Sequence, residues 1–298
     1  MAVRLDYGAK PGFLGFMAQM WRRKRPGADG GPLPDMQAEW RGQRSSRAEQ
    51  AAFLALSGMP ADAELSILYP HTASFPMLMA MLSHPAFPLP IWRVLQVRNR
   101  LVLHEAVAPD SALDFTVRTG ERRVLEKGLE MDLQVTATRA GRMVFEGTNT
   151  FYSRGRFGPP SAVAPPSPVL EGPVSAEWRM PDHGRLGYSR LSGDFNPLHL
   201  SNAYARRQGF ARAFVHPQRA IGQCLGHLGA IGALGHAPLR LETWIKGPVF
   251  YGAAVALRTE SGLDGGCFAL HVQGDARPAI VGRFDNSTRA TAAGSAHA

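Results

Sequence analysis

The sequence predicts an α+β protein built from two similar halves in tandem. Each half contains an apolar helix pattern followed by four segments with strand character. Apolar and polar residues alternate in these segments, as in Glu130-Met-Asp-Leu-Gln-Val-Thr-Ala, which is typical of an antiparallel sheet with one face on a core and one towards water. A proline-rich stretch separates the two sets. A chain of 298 residues is long enough for two units of roughly 100 to 150 residues each.

The first half is expected at residues 35–157 and opens with a short helix at 46–56. A second helix is predicted at 74–83, where the run Phe75-Pro-Met-Leu-Met-Ala-Met-Leu82 is apolar on nearly every side and is therefore expected to be buried. The strands that follow are predicted at 94–104, 113–122, 127–139 and 141–153.

Residues 158–170 are expected to form an interdomain linker, because their many prolines make the chain stiff, extended and unable to join the interior of a sheet. The second half is expected at 171–286 and repeats the order of the first. Its helices are predicted at 202–208, with Ser201 as the N-cap, and at 217–231. Its strands are predicted at 174–180, 239–249, 253–261, 266–273 and 278–285.

The ends of the chain differ in composition from the two halves. Residues 1–34 form a basic arm, in which the apolar residues 13–21 precede the basic cluster Arg22-Arg-Lys-Arg25. A membrane-surface helix or a targeting peptide is one interpretation of this pattern. The order of the two stretches favours instead an arm that packs partly on the body, with a flexible hinge at 26–34. Residues 287–298 are small and are expected to form a disordered tail.

Composition excludes several classes of protein. The two cysteines, Cys224 and Cys267, lie in apolar surroundings without the spacing of metal ligands, so we expect a reducing, cytoplasmic setting and no structural zinc. No apolar run reaches the roughly 20 residues that a membrane helix needs. The net charge of +9 is concentrated in the arm and in a stretch from 195 to 241 without Asp or Glu. The arginines of this stretch are Arg206, Arg207, Arg212, Arg219 and Arg240.

This basic stretch predicts an anionic partner. The phosphates of a CoA nucleotide or the surface of an acidic carrier protein would be attracted to it. Nucleic acid is not expected, because the stretch has neither interleaved aromatic residues nor a known nucleic-acid motif. A solvated helix face that happens to lack carboxylates is the plain alternative for any single arginine.

The strongest chemical signal is the segment Tyr188-Ser-Arg-Leu-Ser-Gly-Asp-Phe-Asn-Pro-Leu-His199. Ser192 and Gly193 favour a turn and Pro197 disfavours a helical Asn196, so we expect a shaped loop rather than a helix. In such a loop the Asp194 carboxylate and the His199 imidazole can face one small volume. Taken alone, an Asp and a His at this spacing would more often cap a turn and bond a backbone carbonyl.

The wider pattern changes that assessment. Tyr-x-x-Leu-Ser-Gly-Asp-x-Asn-Pro-Leu-His, followed by Ala205-x-x-x-Gly209-Phe210, resembles the signature of the MaoC-like family of (R)-specific enoyl-CoA hydratases and 3-hydroxyacyl dehydratases. The resemblance implies a hot-dog fold and, for two halves, a tandem or double hot-dog, in which two curved antiparallel sheets each wrap a central helix. Only the second half carries the Asp/His loop, so one active site is expected, with the first half helping to house the acyl chain.

The resemblance also implies the chemistry, which is reversible hydration of a trans-2-enoyl thioester to a (R)-3-hydroxyacyl thioester in fatty acid metabolism. Asp194 is expected to act as the main base towards water, His199 to hold the water and shuttle the proton, and Asn196 to fix the loop. No cofactor and no metal are implied. The residues expected to bind substrate are Tyr188, Gly193, Gly209, Phe210, His216, Arg206, Arg207 and Arg212.

One position departs from the family. MaoC-like hydratases usually read His-Gly at the start of the central helix, where the glycine amide donates to the thioester carbonyl, whereas this chain reads His216-Pro217. Proline has no N–H. The backbone amides of Gln218 and Arg219, at the positive end of the same helix, are the candidate replacements.

This departure keeps a second function open, which is a weakly active or non-catalytic acyl-thioester binding protein. A hot-dog thioesterase is disfavoured by the Asp-x-Asn-Pro-x-His loop. A homodimer is left open, since a double hot-dog already contains the pairing that a single one achieves by dimerising.

Overall fold

A computed structural model describes residues 2–12, 15, 25–28, 31–262 and 264–286. The predicted tail at 287–298 and most of the apolar and basic segment of the arm lie outside these residues. In the first half a strand is followed by two helices, a 3-10 turn at Ile91–Arg93 and four strands. The elements up to the linker are β1 Val3–Tyr7, β2 Met36–Gln43, α1 Arg47–Leu56, α2 Leu68–Ser83, β3 Leu95–Leu103, β4 Leu113–Leu125, β5 Gly128–Arg139 and β6 Arg142–Arg154.

The second half repeats this order and adds two short helices in front of its long one. Its elements are β7 Val174–Arg179, α3 Arg185–Ser192, α4 Pro197–Leu200, α5 Asn202–Arg207, α6 Pro217–Ala230, β8 Leu239–Ile245, β9 Ala254–Gly262, β10 Gly265–Val272 and β11 Pro278–Asp285. The eight strands predicted after the two long helices are all present, with ends that shift by a few residues.

The two predicted sheets are joined edge to edge into one sheet of 11 strands in the order β1-β2-β4-β5-β6-β3-β8-β11-β10-β9-β7. From β2 to β7 the order is symmetric about the junction between β3 and β8. These two strands pair antiparallel, with Asn99 opposite Thr243 and Leu101 opposite Leu241. The first strand after the long helix in each half is therefore the one that joins the halves.

The two long helices, α2 and α6, lie in the core of their halves. In α2 every residue except Ala73 is buried, which confirms that this helix is a core element. It begins at Leu68 rather than at the predicted residue 74, because Pro70 falls in the first turn, where proline needs no N–H partner. Helix α6 buries its residues from Gln218 to Leu225.

The arm and the linker are both attached to the body. Strand β1 of the arm pairs parallel with β2, with Val3 opposite Met36. The linker crosses from one half to the other, because the Ser161 amide donates to the carbonyl of Val124 in β4 while Trp244 Nε1 of β8 donates to the Pro165 carbonyl at 3.2 Å. Among the described helices, none is long and apolar enough to span a membrane.

Candidate active site

The Asp/His segment is less of a loop than its sequence predicts. Residues Tyr188 to Ser192 are the end of helix α3, and Pro197–Leu200 form the single turn α4, so the expected irregular segment shrinks to residues 193–196. Proline at the first position of a helix is favoured, which explains how Pro197 starts a turn instead of preventing one. The prediction of a loop rather than a helix is therefore wrong for the flanks and right only at the centre.

Gly193 makes the bend between the two helices. Its φ is +72°, a left-handed conformation that side chains rarely adopt. A Cβ added at this position would lie 2.8 Å from Cγ of Pro76 in α2. The active-site bend is thus packed directly against the central helix of the first half, and no residue other than glycine fits there.

Hydrogen bonds between residues two positions apart hold the bend in shape. The Asp194 amide donates to Ser192 Oγ at 3.2 Å, and Asp194 Oδ1 accepts from the Asn196 amide at 3.0 Å. Asn196 Oδ1 in turn accepts from the Leu198 amide at 3.1 Å and caps α4. Asp194 keeps its second carboxylate oxygen, Oδ2, for another partner.

The side chain that faces Oδ2 is that of His199. Its Nδ1 lies 3.0 Å from the carbonyl oxygen of Phe214, and since a carbonyl only accepts, Nδ1 carries the proton. The lone pair of a neutral ring is then on Nε2, which lies 3.7 Å from Asp194 Oδ2. This separation is too long for a direct hydrogen bond and suits two groups that contact one water molecule. Both side chains are buried.

His216 lies behind His199. The two rings stack with centroids 4.0 Å apart, and His216 Nε2 lies 3.1 Å from the backbone carbonyl of Asp194. Burial and the neighbouring His199 lower the pKa of His216 well below its usual value, so the ring stays neutral at physiological pH. A neutral ring that donates to the Asp194 carbonyl holds the backbone of the bend.

Asp194, His199 and His216 lie close enough to share a metal ion, with one ligand atom from each within 4.8 Å of the others. The geometry does not favour such a site. The planes of the two imidazole rings are only 28° apart, so their lone pairs, which lie in the ring planes, do not converge on one centre. One nitrogen of each ring is also committed to a backbone carbonyl.

A cavity of about 800 Å³ opens beside the pair. Asp194, Asn196 and His199 lie in its wall, and most of the other lining side chains are apolar. The cavity is built from both halves. The first half contributes Phe75, Met79, Leu82, Ile91, Trp92 and Leu95, and the second contributes Tyr204, Phe210, Phe214, Val249 and Ile280. Its size falls within the range of roughly 300 to 1,000 Å³ usual for small-molecule sites.

The start of α6 faces this cavity through Pro217 and Gln218. The two candidate amides differ. The Arg219 amide donates to the His216 carbonyl at 3.0 Å, whereas no described residue accepts a hydrogen bond from the Gln218 amide. The geometry therefore favours Gln218 over Arg219 as a donor to a bound ligand.

The other predicted residues lie at various distances from the cavity. Gly193 and Phe210 line it, whereas Tyr188, Gly209 and His216 do not. Tyr188 is buried against the ring of His216, with centroids 5.0 Å apart. Gly209, with a φ of +86°, is exposed just after the C-cap of α5.

The arginines also separate into two groups. Arg206, Arg207 and Arg212 are exposed around α5, next to the cavity-lining Tyr204 and Phe210. Arg219 was expected on the same surface but is only 1% exposed, and its guanidinium donates to the carbonyls of Leu56 and His183. It therefore ties α6 to the ends of other elements and does not belong to a surface for anions.

Sequence reasoning missed the cavity residues of the first half, above all Gln96. This side chain lies in the wall of the cavity and accepts a hydrogen bond from Gln218 Nε2. A glutamine in an otherwise ordinary strand carries no signal of such a role. The role of the Phe214 backbone carbonyl, which orients His199, could not be predicted either, because every residue has a carbonyl.

Comparisons with known proteins agree with this architecture. No family model matches the chain. It is 24% identical over 219 residues to 3-hydroxyacyl-thioester dehydratase X of Mycobacterium tuberculosis, a match that covers 72% of this chain and 75% of the relative. This similarity to a dehydratase confirms the resemblance that the Asp/His motif indicated.

Solved structures show the same fold. The crystal structure of HtdX of Mycobacterium tuberculosis superposes with a TM-score of 0.72 at 19% identity, covering 84% of this chain and all of that chain. A MaoC-like dehydratase from Phytophthora capsici gives a TM-score of 0.70 at 16% identity, covering 87% of this chain and 98% of that chain. With its two helix-and-sheet halves joined edge to edge, the chain has the double hot-dog fold of the MaoC-like dehydratases.

Proposed function

We propose that the protein is a hydro-lyase that interconverts trans-2-enoyl and (R)-3-hydroxyacyl thioesters. One observation carries this proposal: the Asp194 carboxylate and the His199 imidazole face each other at 3.7 Å in the wall of a largely apolar cavity. The similarity to a relative named as a 3-hydroxyacyl-thioester dehydratase supports the substrate class.

The pair is arranged to hold and activate one water molecule. Asp194 Oδ2 and the unprotonated Nε2 of His199 are both acceptors, so a water between them donates both of its protons and turns an oxygen lone pair towards the substrate. In hydration this oxygen bonds to C3, Asp194 takes a proton from the water, and the π electrons move towards C2 and the thioester oxygen. The pair then returns a proton to C2. Positioned acid and base groups of this kind contribute roughly 10² to 10⁴ in rate.

Negative charge develops on the thioester oxygen during this step and needs a donor. Pro217 cannot supply one, but the free amide of Gln218 comes next in the same first turn. The N-terminal end of α6 adds its positive dipole. We assign this role to the Gln218 amide and not to that of Arg219, which is already bonded within the turn.

The cavity and its rim agree with an acyl thioester carried by CoA or by an acyl carrier protein. Apolar side chains of both halves offer a lining for an acyl chain. Arg206, Arg207 and Arg212 lie exposed beside this cavity, where they can attract the phosphates of the carrier.

The test is turnover of crotonyl-CoA and of a longer trans-2-enoyl-CoA, followed as loss of the conjugated enoyl absorbance. We expect Asp194→Asn to lower kcat by roughly 10² to 10⁴, because asparagine keeps the shape of the carboxylate but cannot take the proton. Asp110→Asn, a change on the surface of the first half, is the control and should leave turnover unchanged. If the wild type is no faster than Asp194→Asn with every chain length, the catalytic assignment is wrong.

A second candidate function is binding of acyl thioesters without turnover, and Pro217 is the observation that favours it. Losing one donor to a developing oxyanion costs roughly 10² to 10³ in turnover. Calorimetric titration with butyryl-CoA separates the two functions. Binding without any turnover of the corresponding enoyl-CoA is expected of the binder, and turnover that depends on Asp194 is expected of the enzyme.

A further inference from the structure

One side chain of the first half reaches the start of α6. Gln96 of β3 lines the cavity, and its Oε1 accepts a hydrogen bond from Nε2 of Gln218. Gln218 is the residue whose free amide faces the site. The contact therefore links the half without the Asp/His loop to the place where the family motif is broken by Pro217.

A β-bulge explains how Gln96 reaches the cavity. The register of β3 against β6 shifts between Gln96 and Arg98, so that Gln96 pairs with Phe151 and Arg98 pairs with Thr150. Side chains alternate between the two faces of a regular strand, yet the neighbours Gln96 and Val97 both line the cavity. Bulges commonly re-aim a side chain in this way near functional sites.

The carboxamide of Gln96 is held on its other side as well. Its Nε2 donates to Asn99 Oδ1 at 2.5 Å and to Asn149 Oδ1 at 2.9 Å. Asn149 Oδ1 also accepts from His71 Nε2 in α2, at 2.7 Å. Asn99, Asn149 and His71 are fully buried. The donors thus run in one direction, from Gln218 to Gln96 and from Gln96 to the buried Asn99 and Asn149. The Oε1 of Gln96 is left to accept from Gln218.

This arrangement favours one amide orientation of Gln96. If the carboxamide were flipped, its Nε2 would face Nε2 of Gln218 and its Oε1 would face two other carbonyl oxygens, so three favourable contacts would become repulsive. With Asn99 and Asn149 each turning Oδ1 towards Gln96, the network favours the orientation of Gln96 in which Gln218 donates.

We propose that Gln96 is a positioning residue, which holds Gln218 so that its backbone N–H and the remaining N–H of its carboxamide point at the thioester oxygen in the cavity. The first half thereby supports the oxyanion site and does not only line the acyl cavity. This inference rests on the proposed function, since it assigns the donor for that same reaction. Glutamine side chains serve as oxyanion donors in other enzymes, and a displacement of about 1 Å in such a group can cost roughly 10²-fold in rate.

The test is a double-mutant cycle of Gln96→Leu and Gln218→Leu on enoyl-CoA hydration. Leucine keeps most of the volume and removes the hydrogen bond. We expect Gln96→Leu to lower kcat roughly 10- to 100-fold with KM changed much less, because the donor acts on the transition state. The double variant should be no slower than Gln218→Leu, because Gln96 acts through Gln218. Losses that multiply, or an unchanged kcat in Gln96→Leu, contradict the proposal.

Gln223→Leu is the matched control. Gln223 is a buried glutamine of the same helix whose Oε1 accepts from Trp178 Nε1 at 2.8 Å, away from the cavity. Its loss should affect stability and leave kcat unchanged. If Gln223→Leu lowers kcat as much as Gln96→Leu, the effect belongs to any buried glutamine contact of α6 and the positioning role is wrong.

A second measurement does not depend on turnover. Hydrogen exchange at the Arg219 and Ala220 amides, which close the first turn of α6 on the His216 carbonyl, should accelerate in Gln96→Leu and not in Gln223→Leu. Unchanged exchange in Gln96→Leu overturns the inference even in an active enzyme. Accelerated exchange in a protein without hydratase activity supports the positioning role and rejects only the proposed function.

Discussion

The two halves of the molecule have the same scaffold and differ in one connection. In each half a strand leads into a helix, then a long buried helix, then four strands, and the sheet order of one half mirrors that of the other. Between the paired helices, residues 57–67 connect α1 to α2 in the first half. The corresponding connection in the second half, from α3 to α6, is residues 193–216, and it contains Asp194, Asn196, His199 and the turn helices α4 and α5. The candidate chemistry thus lies in an enlarged connection, on a scaffold that the other half shares.

The long helices show what each half contributes. Helix α2 presents Phe75, Met79 and Leu82 to the cavity, whereas α6 presents its N-terminal turn with Pro217 and Gln218. The side of a helix offers apolar surface, and the start of a helix offers unpaired N–H groups and a positive dipole. Of the two long helices, α2 therefore supplies apolar wall and α6 supplies electrostatics. Gln96 is the point at which the first half also contributes a polar group.

The first prediction concerns a buried histidine of the first half and the pH dependence of stability that it causes. His71, in helix α2 of the first half, is fully buried. Burial lowers its pKa to about 4, although its hydrogen bond to Asn149 opposes the shift. In the unfolded chain a histidine titrates near its usual value of about 6.5. Between these two values the unfolded state binds more protons, so the free energy of unfolding falls as the pH is lowered from about 6.5 towards 4. The full contribution is about 3 kcal/mol, present above the upper limit of that window.

We expect His71→Gln to reduce this loss of stability, because glutamine retains an N–H for Asn149 and does not titrate. Urea unfolding at pH 7.5 and at pH 5 measures the difference. His216 contributes with the same sign in both proteins, so the slope decreases without vanishing. An equal drop in the wild type and in His71→Gln would show that His71 is not held neutral by the fold.

The second prediction tests whether the first half sets the space for the acyl chain. Met79 lies in the cavity wall, on the buried face of α2. We expect Met79→Trp to fill part of the cavity and to lower kcat/KM for a trans-2-dodecenoyl thioester by about tenfold, with a much smaller effect on crotonyl-CoA. A change of this size corresponds to about 1.4 kcal/mol of lost transition-state binding.

Met79→Leu is the control for this experiment, because it keeps nearly the same volume. It should leave the ratio of kcat/KM for the two substrates unchanged. Equal losses with short and long chains in Met79→Trp would mean that the acyl chain does not lie along α2. The first half would then be only a structural partner.

The sequence predicts the repeated part of this molecule better than the unique part. Apolar residues alternate with a period of two along the strands of both halves, so eight strands are predicted nearly in place. The same holds for α6, whereas α2 begins six residues earlier than predicted. The N-cap Ser201 and the start of α6 at Pro217 are confirmed because these signals are local. The edge-to-edge pairing of β3 with β8 was not predicted, since no pattern in either strand specifies which strand it pairs with.

The site divides in the same way. Asp194 and His199 lie in one short segment, so their proximity follows from a motif. Gln96 comes from the other half. It reaches the cavity because the register of β3 against β6 shifts by one residue and forms a β-bulge. The burial of Arg219 was missed for a related reason: its partners, the Leu56 and His183 carbonyls, are backbone groups from distant parts of the chain. Contacts between segments and contacts to backbone leave no pattern in a single sequence.

The smallest effect is expected at Pro217, the position at which this chain departs from the family motif. Pro217→Gly restores the N–H that MaoC-like hydratases usually have. If the Gln218 amide already serves the thioester oxygen, kcat for crotonyl-CoA should rise by less than about tenfold, well below the roughly 10² to 10³ that a missing donor costs. Pro217→Ala, which restores the same N–H with less backbone freedom, should behave alike. A rise of 10² or more in both variants would show that the native site lacks its donor, and the supporting role of Gln96 would then have no function to support.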